Sequence, residues 1–162
     1  MKLLFTTLIV LSTLPSLADK VPAVATADAG HVIISKKDMK WGAAPASLPA
    51  GAQAAVIDGD PTKAGEFTMR LKLPANYKIQ PHTHPADEHV TVIEGSFSMG
   101  LGEKFDAKSG HVLKAGDYAR MTAGTKHFAM TTSPAVIQLH GNGPWGITYV
   151  NPADDPREMM KK

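Results

Sequence analysis

The pattern of hydrophobic and polar positions is clearest over residues 66–73, where the sequence EFTMRLKL alternates apolar and polar side chains. A period of two is typical of a β-strand with one buried and one exposed face. The residues of the apolar face are Phe67, Met69, Leu71 and Leu73. Arg70 and Lys72 lie on the opposite face, so we expect them to point outward. Pro74 ends the strand, because proline has no backbone N–H to donate to a ladder.

Eight further segments have the length and composition of short β-strands, and each is bounded by residues typical of turns. They cover residues 77–84, 88–94, 96–101, 110–113, 117–121, 127–131, 135–140 and 147–150. Helical periodicity is nearly absent. Many short strands at this spacing predict an all-β fold, either a sandwich or a small closed barrel. Closure into a barrel would remove the exposed strand edges.

The N-terminus has the pattern of a secretory signal peptide, with the basic Lys2 followed by an apolar run over residues 3–14. Small residues one and three positions before Asp19 predict cleavage after Ala18, and a later cut in the Ala-rich stretch stays open. The alternative is an uncleaved anchor, but the run is shorter than the roughly 18 residues that span a bilayer. We therefore expect a signal peptide over residues 1–18, a periplasmic or secreted location, and no membrane insertion after cleavage.

Length and composition limit what the mature chain can be. Without the leader, 144 of the 162 residues remain, which suits one domain with its own core. We divide them into an N-terminal arm at 19–55, a barrel at 56–151 and a C-terminal tail at 152–162. The chain has no cysteine, so any metal must be held by nitrogen and oxygen atoms. The formal net charge is only +2, with basic residues scattered among acidic ones, so we expect no nucleic-acid partner.

The segment 81–95, PHTHPADEHVTVIEG, carries the clearest candidate chemistry. His82 and His84 are two residues apart, so on a strand their imidazoles project to one face and can bind one ion. Glu88 begins the next predicted strand, and its carboxylate can turn toward the same point. A fourth ligand has to come from elsewhere in the chain. His127, at the start of a predicted strand after a turn, is the best candidate.

These residues resemble the motifs of the cupin superfamily. Its first motif has two histidines separated by one residue, then a glutamate and a glycine, matched here by His82, His84, Glu88 and Gly95. Its second motif runs from glycine through a second glycine to histidine, matched by Gly116, Gly124 and His127. The segments PHTHPADEHV and GPWGITYVNP are also similar to those of small secreted bacterial cupins of the cupin-2 type. The resemblance covers most of the mature chain.

The sequence departs from the cupin motifs at three positions. Asn76 stands in place of a leading glycine, Thr122 in place of a proline and Thr131 in place of an asparagine. The departures fall in turns and at the far end of the second motif. All four positions of the metal ligands are filled.

The resemblance implies a single cupin barrel of the RmlC-like jelly-roll type. It also implies one divalent transition metal ion held by His82, His84, Glu88 and His127. Three histidines and a carboxylate suit Mn, Fe, Ni, Co, Cu or Zn, and the sequence does not choose among them. An octahedral ion would keep two positions open for a substrate and for O2 or water.

Cupins include dioxygenases, decarboxylases, isomerases, lyases, storage proteins and ligand-sensing modules, so the fold does not fix the function. We expect a dioxygenase-like, metal-dependent oxidoreductase that acts on a small organic molecule in the barrel, with Glu88 and His140 as its catalytic residues. His140 would be an acid or base, and Gln138 a donor, if residues 135–140 line the cavity; a structural role for His140 is the competing interpretation. The alternative function is a non-catalytic periplasmic cupin that binds a small ligand or a metal. The resemblance also implies a homodimer.

Overall fold

The computed structural model describes residues 30–159 of the chain. The predicted signal peptide at residues 1–18 and its cleavage site lie outside the described residues. Across residues 30–159, no helix has both the length and the apolar character to cross a membrane.

Nearly all of the regular structure is β-strand, which confirms the predicted all-β fold. The strands are β1 Gly42–Ala43, β2 Gln53–Asp58, β3 Gly65–Leu73, β4 Lys78–Thr83, β5 Glu88–Glu94, β6 Ser96–Leu101, β7 His111–Lys114, β8 Tyr118–Met121, β9 His127–Met130, β10 Ala135–Gly143 and β11 Thr148–Tyr149. Two short 3-10 helices at Lys36–Asp38 and Pro152–Asp154 and one helical turn, α1 at Pro156–Met159, accompany them. The nine strands expected from the sequence are all present.

Strands β1 and β2 were not predicted. The sequence of β2, QAAVID, has no regular alternation, since the adjacent Ala54 and Ala55 are both fully buried. β2 lies between β1 and β3 in the six-stranded sheet. The strand begins at Gln53, so the predicted boundary between arm and barrel at residues 55 and 56 falls inside it.

The strands form two antiparallel sheets. One sheet has the order β1-β2-β3-β10-β5-β8, and the other has the order β11-β4-β9-β6-β7. The chain passes repeatedly from one sheet to the other, so consecutive strands such as β4 and β5 belong to different sheets. The apolar side chains of both sheets meet between them, and the expected alternation of β3 appears as its burial pattern. The core of the barrel and its cavity therefore lie between the sheets.

The outer face of the six-stranded sheet is polar and is partly covered by the N-terminal arm. Arg70 donates a hydrogen bond of 3.0 Å to Gln138 on the neighbouring strand. The ammonium group of Lys72 lies 4.0 Å from the centre of the Trp41 ring, within the range of a cation–π contact. The outward position predicted for Arg70 and Lys72 is confirmed, and the arm uses them to pack against the sheet.

Two of the three motif positions that depart from the cupin pattern, Asn76 and Thr131, have clear structural roles. Asn76 has φ of 58°, the left-handed conformation that asparagine tolerates better than other non-glycine residues. Thr131 donates from its hydroxyl to the Pro74 carbonyl at 2.6 Å and accepts from the Tyr77 amide at 3.1 Å. Both residues thus stabilise the turn that precedes β4.

Gly95 connects β5 to β6 and carries the chain from one sheet to the other. Its φ is 75°, and a Cβ atom at this position would lie 2.3 Å from the Pro134 carbonyl oxygen. A side chain would therefore be strained by its backbone conformation and would collide with a neighbouring backbone. This explains why the position is a glycine.

We expect Gly95→Ala to lower the free energy of unfolding by about 3 kcal/mol, because strain and collision act together. Urea denaturation measures this change. Gly116→Ala is the matched control, because Gly116 has φ of 94° but a Cβ atom there would have nothing within 4 Å. It should cost about 1 kcal/mol from backbone strain alone. Equal destabilisation in the two variants would contradict the role assigned to the collision.

Candidate metal centre

The four predicted ligands converge at one end of the barrel interior. His82 lies on β4 directly opposite His127 at the start of β9, and the two are paired in the ladder. His84 follows the end of β4, and Glu88 is the first residue of β5. The pairing of β4 and β9 is irregular between Ile79 and His82. The Ile79 and His82 side chains can therefore both face the interior, although they are three residues apart. All four predicted ligands are buried, with exposed fractions of 1–6%.

The three imidazoles are oriented by the same kind of hydrogen bond. The Nδ1 atom of each lies close to a backbone carbonyl oxygen: His82 to Gln80 at 2.7 Å, His84 to Gly146 at 2.8 Å and His127 to Thr125 at 2.9 Å. A carbonyl only accepts, so Nδ1 carries the proton and Nε2 keeps its lone pair. Such bonds commonly fix the tautomer of metal-binding histidines. The three rings therefore present Nε2 as the ligand atom.

The ligand atoms are spaced as one ion requires. Ligand nitrogens of the three histidines lie within 4.8 Å of one another, so this group can hold a metal ion. Glu88 approaches two of them, with Oε1 at 3.5 Å from His84 Nε2 and Oε2 at 3.2 Å from His127 Nε2. Yet His84 Nε2 and Glu88 Oε2 are buried without a hydrogen-bond partner. Buried polar atoms are rarely left unsatisfied, and a cation at this point would satisfy both.

The charge states of the cluster suit a cation. Burial lowers the pKa of His82 to about 3, with repulsion from His127 and His84 adding to the effect. Burial also lowers the pKa of His84, although Glu88 opposes it. Burial alone would raise the pKa of Glu88, but the contact with His127 and the charges of the histidines outweigh it and lower that pKa. Neutral imidazoles and an ionised carboxylate are the forms that bind metals.

His127 differs from the other two histidines. Burial would lower its pKa, but the neighbouring Glu88 carboxylate outweighs burial and raises it. In the protein without metal, the Glu88 carboxylate therefore favours a proton on His127. A bound cation takes the place of that proton, so metal binding should release it.

The cluster opens into a cavity of about 200 Å³ between the two sheets. The wall away from the cluster is apolar and is formed mainly by Met69, Leu71, Ile79, Phe97, Met99, Ala129, Ile137 and Leu139. A cavity of this kind, apolar with a few convergent polar groups, is typical of small-molecule sites.

The N-terminal arm forms part of the cavity wall. Pro45, Ser47 and Leu48 line it. The Tyr149 hydroxyl donates to the Ser47 carbonyl at 2.7 Å, and the Tyr77 hydroxyl donates to the carbonyl of Pro49. Both tyrosine side chains come from the barrel and hold the arm in place.

The loop between β10 and β11 closes another side of the cavity. Trp145 stacks on His84 with ring centres 4.3 Å apart and an angle of 17° between the planes. Its amide donates to the Pro61 carbonyl at 2.7 Å, which fixes the loop against the barrel. We did not identify Trp145 as a site residue from the sequence. The only signal was its place in the segment GPWGITYVNP, which also contains Tyr149.

The two turns that carry the ligands are tied to each other. The Gly124 amide donates to the His84 carbonyl at 3.0 Å. Asp87 accepts from the Ala123 amide at 2.9 Å and lies 3.6 Å from Arg120. The turn before β5 and the turn before β9 therefore hold His84, Glu88 and His127 in a fixed arrangement.

The structure does not bring His140 to the cluster. In β10, Ile137 and Leu139 face the cavity, so Gln138 and His140 lie on the outer face of the sheet. His140 stacks there on His89, with ring centres 4.6 Å apart. The role predicted for His140 as an acid or base in the cavity does not agree with this position, and we leave it out of the proposed site.

Comparison with solved structures shows the same fold. The polyketide cyclase RemF from Streptomyces resistomycificus has a TM-score of 0.61 and 16% identity, covering 82% of this chain and 94% of that one. A proposed acetylacetone dioxygenase from Methylibium petroleiphilum has a TM-score of 0.60 and 18% identity, covering 82% and 90%. An RmlC-like cupin from Shewanella frigidimarina has a TM-score of 0.53 and 13% identity, covering 70% and 91%. The predicted RmlC-like jelly-roll barrel is confirmed.

Comparison at the level of sequence shows the family. No curated protein matches the chain. Residues 29–145 match the family described as the ChrR cupin-like domain, and this stretch is well over half of the chain. The protein therefore belongs to the family of ChrR cupin-like domains, within the cupin superfamily.

Proposed function

We propose that this protein is a metal-dependent cupin that acts on a small organic molecule in its cavity, as an oxidoreductase of the dioxygenase type. The ion is one divalent transition metal of the group Mn, Fe, Ni, Co, Cu and Zn. The observation that carries the proposal is the convergence of three buried imidazoles and the Glu88 carboxylate at the end of an apolar cavity, with His84 Nε2 left without a hydrogen-bond partner. The cluster would bind the ion, and the cavity has room for a substrate beside it.

A transition metal ion at this point would supply Lewis acidity and, in its redox-active forms, electron transfer with O2. The side chains of the chain have separate tasks. The three histidines and Glu88 would hold the ion, and Trp145 fixes the His84 ring by stacking on it. Glu88 is the carboxylate in the cavity lining and can accept a proton from a bound molecule. The apolar wall excludes water from the reacting atoms.

The names of two similar structures, a polyketide cyclase and a proposed acetylacetone dioxygenase, both denote enzymes. Their sequence identities of 16% and 18% are too low to transfer either activity to this chain. They support an enzyme as the first hypothesis and leave the substrate open.

The second candidate is a cupin that binds a small ligand or a metal without turnover. One observation favours it. Apart from the four proposed ligands, the titratable side chain in the described cavity lining is Arg157, which is unsuited to general acid–base catalysis. An enzyme of this design would depend on the ion and on Glu88 for all proton transfer.

The two candidates are distinguished by a screen of the Mn, Fe, Ni, Cu and Zn forms against phenols, diketones, organic acids and sugars. O2 uptake and product mass are the readouts. The oxidoreductase proposal predicts turnover with at least one metal form. If no form consumes O2 or converts a substrate, while a ligand still raises the melting temperature, the binding function replaces it.

Glu88→Gln tests the proton-accepting role once a substrate is known. The amide keeps the shape of the side chain but removes the carboxylate charge, so we expect turnover to fall at least about 100-fold at full metal occupancy. Glu94→Gln is the matched control, because Glu94 ends the same strand and pairs at the surface with Lys36. It should leave turnover unchanged. Parental turnover in metal-loaded Glu88→Gln would contradict the role of Glu88.

The proposed function also includes export of the protein and its assembly into a dimer. We propose that the signal peptide at residues 1–18 is removed on export and that the mature protein acts in the periplasm or outside the cell. Mass spectrometry of exported material tests this, and an intact Met1 terminus would contradict it. We also propose a homodimer, for which light scattering at high protein concentration should give twice the mass of the mature chain rather than the monomer mass.

A further inference from the structure

We infer that the cavity takes a compact, mostly apolar molecule that presents one singly charged oxygen acid to the cluster. This inference rests on the proposed metal site and narrows its substrate class. It follows from the charges around the cavity, from the chemistry of its wall and from its size.

The metal-loaded site would carry a net positive charge. A divalent ion held by three neutral imidazoles and the Glu88 carboxylate leaves a net charge of +1. The cluster is buried, with exposed fractions of 6% or less, and an uncompensated buried charge is costly. A ligand with one anionic oxygen cancels this charge. A neutral ligand leaves it in place, and a doubly charged ligand replaces it with a buried negative charge.

The cavity wall offers little to a second negative charge on the ligand. Arg157 is the other cationic side chain in the lining. Its guanidinium donates to both carboxylate oxygens of Asp155, at 2.8 and 2.6 Å, and to the Ile147 carbonyl at 3.1 Å. The charge of Arg157 is therefore already matched by Asp155. A second anionic group on the ligand would therefore compete with Asp155 for Arg157.

The part of the ligand away from the ion would contact a mostly apolar wall. Ser47 and Thr62 are the hydroxyl side chains of the described lining, and most of the wall, including Leu71 and Phe97, offers no hydrogen bond. A sugar or another polyol would therefore lose most of its hydration without replacement. Pro45 and Leu48 of the arm limit the space, and the Tyr149 hydroxyl holds that arm through Ser47. The ligand must therefore be compact as well as apolar.

A series of five-carbon probes tests the inference on the Co²⁺-loaded protein, whose visible spectrum reports binding at the ion. Pentanoate, pentanamide and glutarate carry charges of −1, 0 and −2 on chains of equal length. We expect pentanoate to bind at least about tenfold more tightly than either of the others. Equal or tighter binding of glutarate or pentanamide, or failure of all three to bind, would overturn the inference.

The same series separates this inference from the proposed function. Cobalt content is measured first by elemental analysis. A chain that retains no cobalt contradicts the metal site itself, whereas a chain that retains cobalt but ranks the probes differently contradicts the charge argument alone. In cobalt-loaded Glu88→Gln the net charge rises to +2, so glutarate should gain at least about tenfold relative to pentanoate. Glu94→Gln should leave the ranking unchanged, and an identical ranking in all three proteins would count against the inference.

Discussion

The double variant His84→Ala, His127→Ala should retain less than about one tenth of the metal bound by the parent protein after dialysis. It removes two of the three imidazoles whose ligand nitrogens lie within 4.8 Å of one another. Those that remain, His82 and Glu88, offer too few ligands for a transition metal in competition with water. Elemental analysis of parent and variant, purified side by side, measures the effect.

The structure offers a matched control for this variant in the pair His89 and His140. These two histidines also stack on each other, but on the outer face of the six-stranded sheet. Their replacement by alanine should leave the metal content of the protein unchanged. Full metal content in the double variant at positions 84 and 127 would contradict the assignment of the cluster as a metal site.

Removal of the metal should strongly destabilise the folded protein. With the ion at about 1,000 times its dissociation constant, binding to the native state alone adds about 4 kcal/mol to the free energy of unfolding. The proposed ligands come from β4, β5, β9 and the residue after β4, so an ion held by them would connect strands of both sheets. Chemical denaturation with and without a chelator measures the difference.

The same ligand variant supplies the control for chelation. The double variant at positions 84 and 127 should show nearly equal stability with and without the chelator, because it holds little metal to lose. A parent protein whose stability is unaffected by complete metal removal would contradict a role of the ion in joining the sheets.

The sequence predicted the strands where binary patterning is regular. In β3 the alternation of Phe67, Met69 and Leu71 with polar residues directly reflects one buried and one exposed face. It failed at β2, because Ala54 and Ala55 are buried side by side and alanine carries little information about exposure. The arm that follows the predicted leader therefore looked separate from the barrel, although its end supplies a strand and part of the cavity wall.

The candidate ligands were predictable because they lie in two short segments with characteristic spacing. The surroundings of the ligands were less predictable, since they depend on contacts between distant parts of the chain. Trp145 reaches His84 across 61 residues, and Tyr149 reaches Ser47 through a bond between the barrel and the arm. Such contacts follow from the order of strands in the sheets, which local patterns do not encode.

The position of His140 illustrates a different limit. Gln138 and His140 share a face of β10, and the catalytic role predicted for His140 depended on that face lining the cavity. The larger apolar residues of β10, Ile137 and Leu139, occupy the inward face instead. Apolar side chains gain more from burial than a histidine does, so they determine which face of the strand turns inward.

X-ray absorption spectroscopy of the zinc-loaded mature protein tests directly whether the three histidines and Glu88 bind one metal ion. We expect three imidazole nitrogens at about 2.0–2.1 Å from the zinc ion and a carboxylate oxygen at a similar distance, with the multiple-scattering signal of three imidazole rings. In the His84→Ala, His127→Ala variant this signal should be lost. A zinc ion surrounded by oxygen atoms alone, or a folded protein that retains no zinc, would contradict the proposed metal site.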